Sequence, residues 1–141
     1  YLYLSMSAYL KELGLFGFAS WLRLQAREEV EHGLKLFDYL IERNSFVTLK
    51  QIKTPEFEYN GIISIFNVIY EHEKCITESV MKVAHLAEDE CDRITLSFID
   101  WFIAEQIEEE KNIKDIIKRL ELFGDDNTSL YLMDRELAER K

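Results

Sequence analysis

Three segments of the sequence place carboxylate, amide or imidazole side chains where the local pattern requires apolar ones. Apolar residues recur at spacings of three and four in each segment, which predicts amphipathic helices with one buried face. Apolar residues flank each polar break, as Phe18 and Leu22, Leu36 and Leu40, and Ile76, Val80 and Val83 do. The residues that interrupt the faces are Gln25, Glu29 and His32, then Glu73, and then Gln106 and Glu109.

Burial of these carboxylates requires a compensating charge, because an unpaired buried carboxylate costs several kcal/mol. No Lys or Arg lies on the three apolar faces, so a pair of divalent cations is the expected partner. Glu29, Glu73 and Glu109 offer hard oxygen ligands, and His32 adds an imidazole one turn from Glu29. This donor set suits iron or manganese better than a closed structural zinc site. Each acidic segment taken alone is also typical of a solvated helix face.

Five helices are expected to position these residues. The predicted helices run from the start to about Gly14, from Phe16 to Asn44, from Gly61 to Ala87 with Asn60 as N-cap, from about Asp92 to Phe123, and from Ser129 to Glu139. The loop between residues 45 and 60 is long enough to let the second and third helices run parallel. The sequence therefore predicts one all-α domain over residues 1–141, a four-helix bundle with one long crossover loop and a short fifth C-terminal helix.

The composition of the chain limits the kinds of partner that the protein is expected to bind. The 141 residues carry 27 acidic and 17 basic side chains, for a net charge of −10, which disfavours nucleic acid and suits cations. No apolar run approaches the roughly 20 residues that a membrane span needs. Cys75 and Cys91 form no disulfide framework, so a reducing cytoplasm is expected.

Three motifs together resemble bacterial non-haem ferritins, and the similarity covers the whole chain. The motifs are Arg-Glu-Glu-Val-Glu-His over 27–32, Tyr-Glu-His-Glu over 70–73, and Trp-Phe-Ile-Ala-Glu-Gln-Ile-Glu-Glu-Glu over 101–110. The resemblance implies a ferritin-like fold and an iron-storage protein with ferroxidase activity. Such a protein oxidises Fe(II) with O2 or H2O2 at a di-iron centre. It deposits ferric mineral inside a cage of identical subunits, 24 in number.

The resemblance also implies roles for individual residues. Glu29 would bridge the two irons and His32 would complete the first site. Glu73 and Glu109 would hold the second iron, with Gln106 beside it. A third iron site would share Glu109 with three more acids, Glu28, Glu105 and Glu108. Tyr3 matches the family tyrosine that supplies an electron during oxidation, and Trp101 matches a nearby aromatic residue.

Two departures from the family pattern concern the first iron site and iron entry. The family uses one more glutamate on the first helix, one heptad before Tyr3, and we expect the native chain to carry it upstream of Tyr1. Animal ferritins line a channel with carboxylates where this sequence has Leu96 and Ile99. The acidic residues near this position are Asp89, Glu90 and Asp92.

Other interpretations remain open at this point. Bacterioferritins carry two Glu-x-x-His motifs, whereas the fourth helix here offers Gln106-x-x-Glu109 without His, and no haem-binding methionine is found in the second helix. A non-catalytic helical scaffold would need no metal, and a storage cage without its own oxidation step would need no di-iron centre. The residues expected outside the site are His72 and His85 at the surface, Tyr70 and Trp101 in packing, and Leu15, Phe16 and Phe57 on outer faces.

Overall fold

The computed structural model describes residues 1–55, 59–124 and 126–140. Within these ranges the chain forms five helices and no strands: α1 (Leu2–Glu12), α2 (Phe16–Glu42), α3 (Gly61–Asp89), α4 (Arg93–Phe123) and α5 (Asn127–Leu137). The chain divides into two compact units, one holding α1, α2 and α5 and the other holding α3 and α4. None of the described helices combines the length and apolar character that crossing a membrane would require.

The unit of α1, α2 and α5 has a core built from residues at helical spacing. Its fully or nearly fully buried side chains are Tyr3, Met6 and Leu10 on α1, Phe18, Trp21 and Leu22 on α2, and Met133 on α5. The Ser7 hydroxyl, also buried, donates a hydrogen bond to the Ala19 carbonyl at 2.6 Å. The turn between α1 and α2 contains Gly14 at a φ of +79°, a conformation that glycine adopts without a steric penalty.

The second half of α2 is more exposed than the sequence predicted. Leu36 and Leu40, expected on the buried face, are 42% and 39% exposed. The physical reason is length, because α2 has 27 residues and α1 has 11. At about 1.5 Å per residue, α1 spans roughly 16 Å against roughly 40 Å for α2. Within this unit α1 therefore covers one part of α2 and leaves the rest uncovered.

The unit of α3 and α4 is held by apolar residues of both helices. Ala84, Ile99 and Phe102 form a buried cluster, against which Trp101 packs with its ring 4.8 Å from that of Phe102. This contact agrees with the packing role expected for Trp101. Val83, predicted on the buried face, is 43% exposed, because the end of α3 turns Ala84 and Ala87 inward instead.

Helix ends follow the capping chemistry of the sequence in most places. The Asp92 carboxylate accepts hydrogen bonds from the Ile94 and Thr95 amides and begins α4, and Gly124 ends it at a φ of +55°. Asn60 precedes α3 as predicted, but its side chain makes no cap hydrogen bond.

Several other boundaries differ by about two residues from the prediction. Helix α5 begins at Asn127 rather than at Ser129, because the Asp126 carboxylate caps its first turn. The first two helices end at Glu12 and Glu42, each two residues earlier than expected.

Of the apolar residues expected on outer faces, Phe16 is exposed, Leu15 is half-buried, and Phe57 lies outside the described residues.

Candidate metal centre

Helix α2 brings Glu29 and His32 onto one face, as their spacing of three residues requires. The Glu29 Oε2 and His32 Nδ1 atoms lie 3.7 Å apart, with the two side chains 32% and 14% exposed. The other carboxylate oxygen, Glu29 Oε1, is buried and has no hydrogen-bond partner among the described residues. Since a buried acceptor without a partner is costly, a cation bound at this oxygen fits the site.

Other candidate residues of this unit have protein partners. The Arg140 guanidinium donates to both oxygens of Glu28 at 2.9 and 3.1 Å, and it also donates to Gln25 Oε1. Its Cζ atom lies 5.1 Å from the centre of the Trp21 ring, a cation–π contact. Tyr3 is buried on α1. Glu28, predicted as a ligand of a third iron, therefore already carries an ion pair that the sequence did not indicate.

Helices α3 and α4 bury three candidate ligands in the second unit. Glu73, Gln106 and Glu109 are 1%, 4% and 6% exposed. The Gln106 Nε2 group donates to Glu73 Oε2 at 3.0 Å and to the Glu73 backbone oxygen at 3.3 Å. Two of the three predicted residues are thus in direct contact, and all three lie on the buried face that the sequence predicted.

Burial raises the pKa of Glu73 above its ordinary value, because a carboxylate loses the solvation that stabilises its charge. The hydrogen bond from Gln106 opposes this rise, and the nearby charge of Glu110 adds to it. The protein by itself therefore stabilises the anionic form of Glu73 poorly. A bound cation would supply the missing stabilisation.

Two residues that the sequence analysis did not assign continue this network. The Gln106 Nε2 group lies 3.4 Å from Thr77 Oγ1, and Thr77 donates to Glu110 Oε1 at 2.8 Å. Glu110 Oε2 accepts from Lys114 Nζ at 3.3 Å. Thr77 follows Glu73 by four residues on the same helix, a spacing that puts both on one face and would have indicated it.

The structure brings only some of the predicted site residues next to one another. It pairs Glu29 with His32, and Glu73 with Gln106. No group of three or more His, Cys, Asp or Glu side chains arranged to hold a metal ion occurs within residues 1–55, 59–124 and 126–140. Glu105 is half-buried and Glu108 is exposed.

Residues expected outside the site follow the prediction in two cases. His72 and His85 are both exposed, as predicted. Near the position of the animal channel, Ile99 is buried in the α3–α4 core and Leu96 is half-buried. Asp92 is engaged in capping α4, whereas Asp89 and Glu90 are exposed.

Comparison with known proteins identifies the family. The ferritin-like domain of the ferritin family matches residues 1–123. The bacterial non-heme ferritin of Escherichia coli O6:H1 is 37% identical over 97% of this chain and 83% of its own length. A probable bacterial non-heme ferritin-like protein of Haemophilus influenzae shows the same identity and coverage.

Solved structures agree with this assignment. An open pore ferritin from the hyperthermophilic archaeon Archaeoglobus fulgidus superposes with a TM-score of 0.98 at 39% identity, covering 100% of this chain and 87% of that one. The predicted fold class, an all-α ferritin-like bundle with a short C-terminal helix, is confirmed. On its matched domain, its bacterial relatives and its fold, this chain belongs to the ferritin family.

Proposed function

We propose that this chain is an iron-storage subunit that oxidises Fe(II) at a di-iron centre. The family and its bacterial non-heme ferritin relatives support iron storage with Fe(II) oxidation. The observation that carries the assignment to particular residues is the buried Glu29 Oε1 atom, which has no hydrogen-bond partner in the described part of the chain. In this proposal Glu29 and His32 contribute one set of ligands, and Glu73 and Glu109 contribute the other, with Gln106 beside them.

The donor set explains how such a centre would favour oxidation. Two Fe(II) ions, the substrate, each lose one electron, and O2 or H2O2 accepts the two electrons. Carboxylates bind Fe(III) more strongly than Fe(II) because the product carries the higher charge. Binding by Glu29, Glu73 and Glu109 would therefore stabilise the ferric product more than the ferrous substrate and favour oxidation. Reduction of O2 all the way to water takes two more electrons, of which Tyr3, buried on α1, would supply one and an Fe(II) at the third site the other.

We also propose a third iron site, at which iron would have to compete with Arg140. Glu28, Glu105 and Glu108 would form it together with Glu109. Because Arg140 holds both oxygens of Glu28, a metal at Glu28 must displace that guanidinium. The third site would consequently bind iron more weakly than the other two.

The ferric product would be stored inside a homo-oligomeric cage. The similarity to solved ferritins supports this assembly, and we propose 24 subunits. We place the protein in the cytoplasm, where its free and exposed cysteines Cys75 and Cys91 would stay reduced. No haem is part of the proposal.

The experiment that tests this function measures oxygen consumption and ferric absorbance after Fe(II) is added to metal-free protein. Glu29→Ala is expected to slow the rapid oxidation by about tenfold or more, since about 1.4 kcal/mol of transition-state stabilisation corresponds to a factor of ten. Glu31→Ala is the matched control, because Glu31 is exposed on the same helix.

Three outcomes would contradict the proposal. Equal rates for wild type and Glu29→Ala would remove the assignment of the site to Glu29. A wild-type protein that consumed no oxygen and retained no iron would favour the helical scaffold. A protein that took up Fe(III) but did not oxidise Fe(II) would favour a storage cage without its own oxidation step.

A further inference from the structure

The Nε2 atom, which is the donor of the Gln106 amide, faces acceptor oxygens of α3. A glutamine amide has two N–H donors on Nε2 and one acceptor oxygen, Oε1. The Nε2 group lies 3.0 Å from Glu73 Oε2, 3.3 Å from the Glu73 backbone oxygen and 3.4 Å from Thr77 Oγ1. The nitrogen end of the amide is thus surrounded by oxygen atoms of α3.

The chemistry of these neighbours determines which end of the amide faces α3. A backbone carbonyl and an ionised carboxylate can only accept hydrogen bonds, so the nitrogen must face them. The amide is planar, and its oxygen points away from the atom positions that its nitrogen contacts. Gln106 Oε1 is therefore turned away from these α3 oxygens, which leaves its lone pairs for another partner.

Thr77 contributes to this orientation through the direction of its own hydroxyl hydrogen. The hydroxyl has a single hydrogen, which it gives to Glu110 Oε1 at 2.8 Å, so a lone pair remains for Gln106. Glu110 is in turn held by Lys114 at 3.3 Å, and the Lys114 ammonium lies 4.9 Å from the centre of the Tyr70 ring. Because Glu110 can only accept, it excludes the reversed hydroxyl orientation, in which Thr77 would donate to the amide oxygen.

We infer that Thr77 and Glu110 are positioning residues for the metal site on α3 and α4. They orient the Gln106 amide so that its nitrogen holds Glu73 in place while its oxygen stays available to the cation. This inference rests on the proposed function and deepens it, because neither residue belongs to the predicted ligand set. The competing explanation is that the Thr77–Glu110 bond merely joins α3 to α4.

The test is a Zn(II) titration of the metal-free protein by calorimetry, since Zn(II) binds without redox chemistry. Thr77→Val removes the hydroxyl at nearly constant volume, and we expect Zn(II) to bind about 10–100-fold more weakly, the usual effect of losing a residue that orients a metal ligand. Thr77→Ser should restore the affinity to within about threefold, because the hydroxyl is what matters. Ser79→Ala is the matched control, since the exposed Ser79 hydroxyl bonds to the Cys75 carbonyl of its own helix.

A second variant and a spectrum separate positioning from helix joining. Glu110→Ala removes the acceptor and should weaken Zn(II) binding as Thr77→Val does. The Co(II) absorption bands at saturating Co(II) should differ between wild type and Thr77→Val, because a changed ligand arrangement alters them and a loosened helix pair with intact ligands does not.

The results that would overturn this inference differ from those that would refute the proposed function. Wild-type Zn(II) affinity in both Thr77→Val and Glu110→Ala would overturn the inference, as would unchanged Co(II) bands in Thr77→Val. Equal weakening in Thr77→Ser and Thr77→Val would also overturn it. If the wild type itself bound no Zn(II), or if Glu73→Ala bound it normally, the proposed metal centre would fail instead.

Discussion

Glu73 is a buried carboxylate whose charge the rest of the protein stabilises poorly. Its carboxylate is 1% exposed, and desolvation raises its pKa above the ordinary value of 4.5. Between pH 4.5 and this raised pKa, the metal-free folded protein holds a proton that the unfolded chain has released. A group in this condition opposes folding when it ionises and is expected at a functional site rather than in a structural core.

The first prediction concerns Glu73→Gln in metal-free protein. From pH 4.5 up through the raised pKa of Glu73, the wild-type free energy of unfolding should fall, because the native state binds more protons than the unfolded state. Gln cannot ionise and still accepts the hydrogen bond from Gln106. We expect the variant to lose this pH dependence and to be more stable at pH 7 by on the order of 1 kcal/mol.

Chemical denaturation at several pH values would measure this effect. Glu78→Gln, on the exposed side of the same helix, is the control and should follow the wild type. The same Glu73→Gln protein should bind Zn(II) more weakly, because an amide oxygen is a poorer ligand than a carboxylate. A variant that kept the wild-type pH dependence would show that Glu73 does not hold the proton.

The contact between α2 and α5 depends on the absence of a side chain at Gly17. The Phe18 amide, in the first turn of α2, donates to Asp134 Oδ1 at 2.9 Å. A Cβ atom at Gly17 would overlap the backbone carbonyl of Asp134, whereas a Cβ at Gly33 would have no neighbour within 4 Å. The same helix thus contains one glycine required by packing and one that is not.

The second prediction uses these two glycines as a matched pair. Gly17→Ala should destabilise the protein by about 1–3 kcal/mol, since a backbone atom must move to relieve the overlap. Gly33→Ala should stabilise it by up to about 1 kcal/mol, because alanine favours a helix interior. Thermal unfolding of the metal-free variants measures both. Changes of the same sign would show that α5 does not pack on Gly17 as described.

Across the whole molecule, net charge is the property with the clearest functional consequence. A net charge of −10 creates a potential that concentrates Fe(II) near the protein. Salt weakens such long-range attraction, since the Debye length falls from about 10 Å at 0.1 M to about 3 Å at 1 M. Ligand contacts inside the protein are screened far less.

The third prediction follows from this difference. At Fe(II) concentrations below saturation, the initial rate of Fe(II) oxidation should fall severalfold between about 0.05 and 0.5 M NaCl. At saturating Fe(II) the rate should change little, because the site is then filled at any salt concentration. Stopped-flow absorbance of the ferric product would measure both. An equal loss at low and saturating Fe(II) would indicate that salt acts on the centre itself.

Helical periodicity predicts several of the residues that the structure buries. Glu73, Gln106 and Glu109 were predicted on buried faces because helical periodicity assigns each position a direction. The same rule failed for Leu36 and Leu40, which are exposed, since periodicity says nothing about how far a neighbouring helix extends.

The missed residues were of a different kind. Thr77 and Glu110 are 33 residues apart in the chain, and Arg140 lies 112 residues from Glu28. Contacts of this range join side chains that are far apart in the chain and are brought together only by packing. A linear pattern contains no record of them, although the spacing of Thr77 from Glu73 placed both on one face.

The sequence by itself determined the all-α class, the placement of the acidic residues on the buried faces of their helices, and the excess of negative charge. It could do so because periodicity and charge are properties of neighbouring residues along the chain. The tertiary structure decided which atoms have partners: the Gln106 nitrogen faces Glu73, the Thr77 hydroxyl faces Glu110, and Arg140 holds Glu28. Such choices depend on distances near 3 Å between atoms of different segments of the chain. Packing sets those distances, and residue order alone does not.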